Sequence, residues 1–201
     1  MTTYGVLFFS DAEELDAVGP WEAFTVSAML REGEAGEPVD TVVSIGSTTE
    51  AIRCSKGLRV VPDHAFDDHP ELDVLLVPGG MGTRAVQHDE TTMDWIRKVD
   101  AATTWTTSVC TGALLLHRSG VAGGRRLATH WAFEDGLEEA GATVERRYRW
   151  VVDGKVVSSQ GVSAGIDMAL WIVGALHGPE HARAVQHYMQ YDPAPPYQYS
   201  A

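Results

Sequence analysis

The stretch TTSVCTGALLL, Thr106–Leu116, contains one of only two cysteines in the 201-residue chain. Cys110 stands where a β-rich run gives way to a helix-like run, and Thr111 and Gly112 follow it directly. This order of small residues around a nucleophile resembles the strand–turn–helix elbow of hydrolases. A cysteine at a helix N-terminus meets positive partial charge and free N–H groups, which lower its pKa from about 8.5. The pattern therefore predicts a reactive thiolate, with an inert buried cysteine as the alternative that spacing leaves open.

Asp16 is the carboxylate most suited to work with that thiol. It lies between Leu15 and Ala17, so its side chain is expected to point inward. A buried carboxylate costs several kcal/mol unless it is paired or protonated, which makes Asp16 a candidate acid or base. A helix cap or a loop carboxylate is the alternative interpretation. The other acidic residues of this segment are expected to face water: Asp11, Glu13 and Glu14.

Two glycines and a histidine are further candidates for the same site. Gly79 and Gly80 end the strongly apolar stretch LDVLLVPGG, and glycine lets the backbone approach a ligand closely. Their N–H groups, with those that follow Cys110, could hold an anionic centre formed by attack. His130, in LATHWAF, follows a short strand and could reach the same crevice. The alternative interpretation is that the two glycines only allow the chain to turn.

The second cysteine and one pair of histidines carry weaker signals. Cys54 lacks a strand-to-helix setting and is interpreted as structural. His177 and His181 stand four residues apart like zinc ligands, but Gly178 and Pro179 break the helical face between them. Both histidines are therefore expected at the surface. Two cysteines match neither a zinc motif nor a disulfide framework, so we expect no metal.

The elements that would position these residues alternate between strands and helices. Apolar runs predict strands or a hairpin at 4–9, 39–46, 51–63, 72–80, 103–109 and, as two strands turning at Asp153-Gly154, 142–161. Helical patterns occupy 19–30, 89–102, 111–120, 130–141, 163–178 and 179–191. Pro20 is expected in the first turn of the first helix, Asp89 as an N-cap and Gly120 as a C-cap.

This alternation predicts an α/β domain with a mostly parallel sheet that helices cover on both faces. In such sheets, ligands bind at the carboxyl ends of the strands. Three loops are expected to converge there, with the sequences SDAEELDAVGP, PGGMG and CTG. The candidate residues lie in or next to these loops.

Composition limits the function classes. With 44% hydrophobic and 21% charged residues, the chain is expected to form a single domain over residues 1–201. The net charge of −13, with only 15 Lys and Arg, argues against a nucleic-acid partner. No apolar run approaches the ~20 residues that a membrane span requires, and the N-terminus has no signal-peptide pattern. We expect a cytoplasmic protein with a small-molecule substrate.

Three motifs together, LLVPGGMG, TSVCTGALLL and ATHWAF, resemble the ThiJ/PfpI group of the class I glutamine amidotransferase-like superfamily, and within it the isonitrile hydratases (isocyanide hydratases). The resemblance runs over nearly the whole chain, from GVLFF through LDAVGP and AGIDMAL to QYDPAPPY. It implies a flavodoxin-like three-layer sandwich and a homodimer. It also implies a nucleophile at Cys110 and a paired carboxylate at Asp16, where many superfamily members carry glutamate.

The same resemblance implies further roles and shows two departures. Thr111 and Gly80 would supply backbone donors to developing charge, with Gly79 and His130 as pocket residues. Many members have histidine directly after the cysteine, whereas this chain has Thr111, so an adjacent Cys–His dyad is absent. The stretch SSQGVSAG is less rich in glycine than its counterpart in the hydratases.

The resulting hypothesis is hydration of an isonitrile to an N-substituted formamide. Cys110 would form a covalent thioimidate and Asp16 would act as general acid and base, without metal or organic cofactor. One alternative is a glyoxalase- or deglycase-like activity on 2-oxoaldehydes through the same thiol. Another is a redox sensor or ligand-binding module, because an exposed thiolate is easily oxidised. A cysteine protease is disfavoured by the missing adjacent histidine.

Overall fold

The computed structural model describes residues 1–31 and 40–195. Within them the chain forms ten strands: β1 Thr3–Leu7, β2 Thr41–Ile45, β3 Ile52–Arg53, β4 Arg59–Val60, β5 Val74–Val77, β6 Trp105–Val109, β7 Arg126–Leu127, β8 Thr143–Val144, β9 Trp150–Asp153 and β10 Val156–Ser159. The same ranges contain seven α-helices: α1 Glu14–Arg31, α2 Thr83–Val86, α3 Glu90–Asp100, α4 Gly112–Arg118, α5 Glu134–Glu139, α6 Ala164–His177 and α7 Pro179–Tyr188. A short 3-10 helix, Trp131–Phe133, precedes α5.

Six strands build the central sheet in the spatial order β2-β1-β5-β6-β10-β9. Neighbouring strands are parallel except β9 and β10, which form an antiparallel hairpin at one edge. The hairpin turns at Gly154, which has a φ of +63°, as the Asp153-Gly154 sequence predicts. Because the other strands are parallel, the chain must cross over through helices between them.

The strand β5 shows why helices cover both faces of the sheet. All four of its residues are buried, and successive side chains point to opposite faces. Leu75 and Val77 belong to a core cluster that includes α3 and α4. Val74 and Leu76 belong to the cluster on the other face, with α1, α6 and α7. The predicted flavodoxin-like three-layer sandwich with a mostly parallel sheet is thereby confirmed.

Several local predictions are confirmed as well. Asp89 caps α3, since its side chain accepts a hydrogen bond from the Thr91 N–H at 3.2 Å. Gly120 follows the end of α4 with a φ of +85°, the left-handed conformation usual after a helix. The segment around Lys56 forms the hairpin of β3 and β4.

The predicted position of Pro20 is wrong. The helix α1 begins at Glu14, six residues earlier, and Pro20 lies inside it. Proline has no N–H, so the carbonyl four residues earlier, that of Asp16, loses its helical partner. Acidic residues in the first turn of α1 favour the early start because they face the positive end of the helix dipole. Asp16 consequently belongs to α1, and the helix backbone fixes the direction in which its side chain leaves the chain.

Two other element predictions are corrected. The predicted helix at 130–141 is a 3-10 turn followed by the shorter α5, with His130 as the N-cap of the turn. The segment 142–161 contains three strands rather than two, because Thr143–Val144 pairs with β7 in a small separate sheet. From Pro196 onward, the QYDPAPPY stretch lies outside the described residues.

The surface interpretation of His177 is wrong. Its side chain is 8% exposed, and its Nε2 lies 2.9 Å from Asp40 Oδ2 and 3.1 Å from the Tyr4 hydroxyl. His181 is partly buried, with its Nε2 2.9 Å from Ser27 Oγ. Packing of α6 and α7 against α1 encloses both rings. In the described residues, no three His, Cys, Asp or Glu side chains are grouped to hold a metal.

In the described part of the chain, the helices are all too short or too polar to cross a membrane.

The turn before α4 packs directly on β5, and Gly112 makes this approach possible. A Cβ at this position would lie 2.2 Å from the Val77 carbonyl oxygen and 2.8 Å from that of Pro78. We expect Gly112→Ala to lower the free energy of unfolding by about 3 kcal/mol, because backbone atoms cannot move aside cheaply. The matched control is Gly174→Ala in α6, whose Cβ would meet only Ala182 Cβ at 3.4 Å. Urea unfolding should show the control unchanged or up to about 1 kcal/mol more stable; equal losses would contradict this account.

Candidate active site

Cys110 lies on a sharp turn between β6 and α4. Its φ is +57°, a left-handed conformation that a side chain with a Cβ rarely adopts. This backbone conformation costs roughly 1–3 kcal/mol, and it persists only where surrounding contacts hold the residue in place. Here the Cys110 N–H donates to the Ser159 carbonyl at 3.1 Å, and the Thr129 hydroxyl donates to the Cys110 carbonyl at 2.8 Å. The structure thus has a strand–turn–helix elbow with the thiol at its tip.

Asp16 is fully buried in the first turn of α1, directly beside this elbow. Its Oδ2 accepts a hydrogen bond from the Gly79 N–H at 2.9 Å. Its Oδ1 is buried and has no hydrogen bond of strict geometry to any residue that the structure describes. The Cys110 thiol is nevertheless close enough for a hydrogen-bond interaction that shifts the pKa of both groups. The carboxylate and the thiol therefore form one interacting pair.

Burial dominates the acid–base state of this pair. Desolvation, with a smaller effect from the Glu13 charge, raises the pKa of Asp16 to about 7, although the Gly79 N–H opposes the rise. Desolvation, followed by the charge of Asp16, raises the pKa of Cys110 to about 12. Near neutral pH the sulfur holds its proton while the carboxyl group is close to half ionised.

The prediction of a low-pKa thiolate at Cys110 is therefore wrong. The N–H of Thr111 does lower the pKa of the thiol, as expected at the start of a helix, but by less than burial and the neighbouring carboxylate raise it. Cys110 is only 6% exposed, so its charged form loses most of its hydration. A base must remove the proton before the sulfur can attack.

The backbone donors assigned from the sequence lie at the site but are already engaged. The Gly79 N–H binds Asp16, and the Gly80 N–H donates to the Thr111 hydroxyl oxygen at 3.0 Å. That hydroxyl in turn donates to the Gly80 carbonyl at 3.1 Å. Gly80 has a φ of +116°, and a Cβ there would lie 2.4 Å from the Asp11 carbonyl oxygen. This loop therefore positions Asp16 and Thr111, while the Thr111 N–H is the donor directed to the sulfur.

A residue that the sequence did not single out, Gly161, lies between the sulfur and His130, which lines the same cavity. A Cβ at Gly161 would lie 2.9 Å from Cys110 Sγ and 2.5 Å from His130 Cδ2. The Nδ1 of His130 accepts a hydrogen bond from the Ala132 N–H at 3.2 Å, so the proton of the neutral ring resides on Nε2. Gly161 belongs to the SSQGVSAG stretch, so the region that departs from the hydratases forms one wall of the site.

A cavity of about 420 Å³ opens above Cys110. Thr111, Gly80 and His130 line it, as do several residues that sequence patterns did not indicate. The apolar ones include Met81, Phe133 and Val162, and the charged ones are Glu13, Lys56 and Arg84. Met81 directly follows the Gly79-Gly80 pair and Arg84 comes three residues later, and this closeness is the sequence signal that could have identified them. The cavity is large enough for a small organic molecule.

The expectation that Glu13 and Glu14 face water is wrong. Glu14 Oε1 accepts hydrogen bonds from the N–H groups of Lys56, at 2.6 Å, and Leu58, at 3.3 Å. Glu13 forms an ion pair with the Lys56 ammonium group. The two carboxylates hold the β3–β4 hairpin against the start of α1, whereas Asp11 is exposed as expected.

Cys54 belongs to the β3–β4 hairpin and does not line this cavity, although the next two residues, Ser55 and Lys56, do. It is 1% exposed, and burial raises the pKa of its thiol. Its N–H donates to the Leu58 carbonyl at 2.8 Å across the hairpin. These contacts agree with a structural role.

Comparisons with known proteins agree with this fold. Residues 4–175 match the model of the DJ-1/PfpI family. Isonitrile hydratase of Pseudomonas putida is 38% identical over 193 residues, which cover 96% of this chain and 80% of that protein. A glutathione-independent glyoxalase of Caenorhabditis elegans is 26% identical over 87% of this chain and 88% of its own length. The crystal structure of a ThiJ/PfpI family protein from Pseudomonas syringae superposes with a TM-score of 0.87 and 29% identity, covering 98% of this chain and 77% of that one.

The raised pKa of Asp16 has a consequence for stability. Protonated Asp16 stabilises the folded protein relative to the ionised form. This stabilisation is fully present below the ordinary pKa of 3.8, and it is lost as the pH rises through the raised pKa of about 7. Asp16→Asn keeps the shape and stays neutral. We expect its free energy of unfolding, relative to the unchanged protein, to increase by roughly 2–3 kcal/mol between pH 5 and pH 8 in urea unfolding.

The matched control is Asp40→Asn, a second buried carboxylate, which has a cationic partner in Arg31. Asp40 lies 3.3 Å from Arg31 Nε and 2.9 Å from His177 Nε2, so removal of its charge should destabilise the protein at both pH values. An Asp16→Asn curve parallel to that of the unchanged protein would show that the pKa of Asp16 is not raised.

Proposed function

The chain belongs to the DJ-1/PfpI family, and from this premise we propose that it is an enzyme that hydrates isonitriles to N-substituted formamides. The observation that carries the proposal is the pairing of a protonated Cys110 with the buried Asp16 carboxyl at the base of a cavity. Such a pair can move one proton between sulfur, carboxylate and substrate. The similarity to the hydratase of Pseudomonas putida supports the same assignment.

In the first step, the ionised Asp16 takes the proton of the Cys110 thiol as the sulfur attacks the terminal carbon of the isonitrile. A C–S bond forms, and the carbon receives the proton from Asp16. The product is a thioimidate, R–N=CH–S–Cys110, and the Asp16 carboxylate is regenerated. The Thr111 N–H stabilises negative charge on the sulfur during attack.

In the second step, water adds to the thioimidate carbon. Asp16 takes a proton from the water and passes it to the nitrogen, which gives R–NH–CH(OH)–S–Cys110. The C–S bond then breaks, and the sulfur recovers the remaining hydroxyl proton to release R–NH–CHO. In total, one isonitrile and one water give one formamide, and these steps require no metal or organic cofactor.

The surrounding residues have supporting roles in this proposal. Gly79 orients the carboxylate through its N–H, and Gly80 orients Thr111. His130, with its proton on Nε2, is the cavity residue suited to donate a hydrogen bond to the substrate nitrogen. We also propose that residues 1–201 act as one domain and form a homodimer, since apolar residues are exposed on α1 and on the adjacent hairpin: Leu15, Val18 and Leu58.

A glyoxalase-like activity is the second candidate, because a glyoxalase of Caenorhabditis elegans is among the relatives. It would use the same thiol to form a hemithioacetal with a 2-oxoaldehyde. Lactate formation from methylglyoxal, without turnover of isonitriles, would favour it. A redox sensor is less favoured, because burial and the raised pKa of Cys110 leave little thiolate to react with an oxidant.

Substitutions at the pair test the proposed mechanism. With an aryl isocyanide as substrate, we expect Cys110→Ala to abolish formamide production. Asp16→Asn should lower kcat by about 10²–10⁴-fold because proton transfer loses its base. Cys54→Ala is the matched control: it removes the other buried thiol, which does not line the cavity, and should retain activity. Full activity of Cys110→Ala, or an inactive unchanged protein, would refute the hydration proposal.

The pH dependence separates a thiol–carboxylate pair from a free thiolate. Because Asp16 must be ionised to accept the proton, kcat/KM should rise about tenfold per pH unit below pH 7 and level off above it. No second rise is expected up to pH 10, since the pKa of the thiol is raised to about 12. Initial rates with the aryl isocyanide across pH 5–10 measure this profile. A rise centred between pH 8 and 9 would point instead to an ordinary thiol that ionises by itself.

A further inference from the structure

The cavity above Cys110 contains one cation that no carboxylate neutralises. Arg84 lies in α2, and its Nη1 donates to the Gly80 carbonyl and to Thr83 Oγ1, both at 3.1 Å. Its guanidinium carbon lies 4.6 Å from the centre of the Phe133 ring. Within residues 1–31 and 40–195, Arg84 forms no salt bridge, and neither Nε nor Nη2 donates a hydrogen bond. A positioned guanidinium with two available donors therefore belongs to the cavity wall.

The other charged residues of the cavity wall compensate one another. Lys56 is paired with Glu13, so these two contribute no net charge. Lys56 is also well exposed, with 68% of its side chain accessible, and solvent screens it. Among the residues that line the cavity, Arg84 consequently contributes one unpaired positive charge, while the partly ionised Asp16 carboxyl is buried beside Cys110; the net charge of the chain is −13. A local positive charge in an acidic protein favours an anionic ligand at this position.

Arg84 is connected to the reacting centre through a single carbonyl group. The Gly80 carbonyl accepts hydrogen bonds from both Arg84 Nη1 and the Thr111 hydroxyl, and Thr111 directly follows Cys110. The guanidinium and the thiol thus line the same cavity from neighbouring positions. Because Nη1 is engaged, Nε and Nη2 form the side of the guanidinium that can bind both oxygens of a carboxylate.

We infer that Arg84 determines substrate specificity, and that the preferred substrate is an isonitrile that carries a carboxylate at its other end. The inference rests on the proposed function. With the isonitrile carbon at Cys110 Sγ, the carboxylate binds the Nε and Nη2 donors of Arg84. The cation–π contact with the Phe133 ring helps to hold the guanidinium in place and leaves that edge open. A brace for the Gly80 loop is the competing role, and it would affect every substrate alike.

The test compares 3-isocyanopropanoate with its methyl ester, which has the same skeleton without the charge. We expect the unchanged protein to prefer the acid by about 10–100-fold in kcat/KM, mainly through a lower KM, as a charged hydrogen-bonded contact provides. Arg84→Met should remove this preference by weakening only the acid. The matched control is the double variant Glu13→Gln/Lys56→Met, which removes both charges of this ion pair and keeps the net charge of the wall, so it should leave the preference unchanged.

The outcomes separate this inference from the hydration proposal. Equal rates on acid and ester in the unchanged protein, or an equal loss on both in Arg84→Met, overturn the inference and leave hydration standing. If neither compound is turned over, the hydration proposal fails. Calorimetric binding of the acid to the unchanged protein and to Arg84→Met then still decides the role of Arg84. Should Arg84→Met fail to fold, Arg84→Lys replaces it; the acid preference should shrink without reversing, and a full preference would count against the guanidinium contact.

Discussion

The structure of the site depends on one constraint, the burial of the Asp16 carboxyl against the Cys110 thiol. Neither group keeps its ordinary pKa, because each loses its hydration and the charge of Asp16 raises the pKa of Cys110 further. Ionised Asp16 carries a cost on the order of 4 kcal/mol in the folded protein. The fold tolerates this cost because the Gly79 N–H, the first turn of α1 and the elbow hold the two groups together. The result is a pair with a proton ready to transfer near neutral pH.

The parallel sheet explains how residues distant in sequence reach this pair. The strands β1, β5, β6 and β10 run in one direction, so their carboxyl ends lie along one edge of the sheet. The loop after β1 leads to Asp16, the one after β5 contains the two glycines, and β6 ends at Cys110. Gly161 follows the end of β10 and closes the site beside the sulfur. Each loop thus contributes one part, and none of them forms a site by itself.

The charged residues of the cavity wall differ in what they contribute to ligand binding. Glu13 and Lys56 neutralise each other while they anchor the β3–β4 hairpin. Arg84 is held by neutral acceptors and an aromatic ring, so its positive charge is not neutralised and can act on a ligand in the cavity. A charge already paired with a neighbour contributes little to recognition, whereas an oriented, unpaired guanidinium can select a ligand.

Local sequence was enough to identify the fold class, the elbow and the candidates Cys110 and Asp16, whereas their pairing was implied by the resemblance to the ThiJ/PfpI group. Alternating apolar runs determine strands and helices, and a cysteine between β6 and α4 and an aspartate between apolar neighbours stand out without tertiary information. Tertiary structure decided the direction of the pKa shift at Cys110, the position of Pro20 within α1, the burial of His177 and the exposure of Arg84 to the cavity. These properties depend on which segments pack together, because desolvation and Coulomb interactions act through space between residues far apart in the chain.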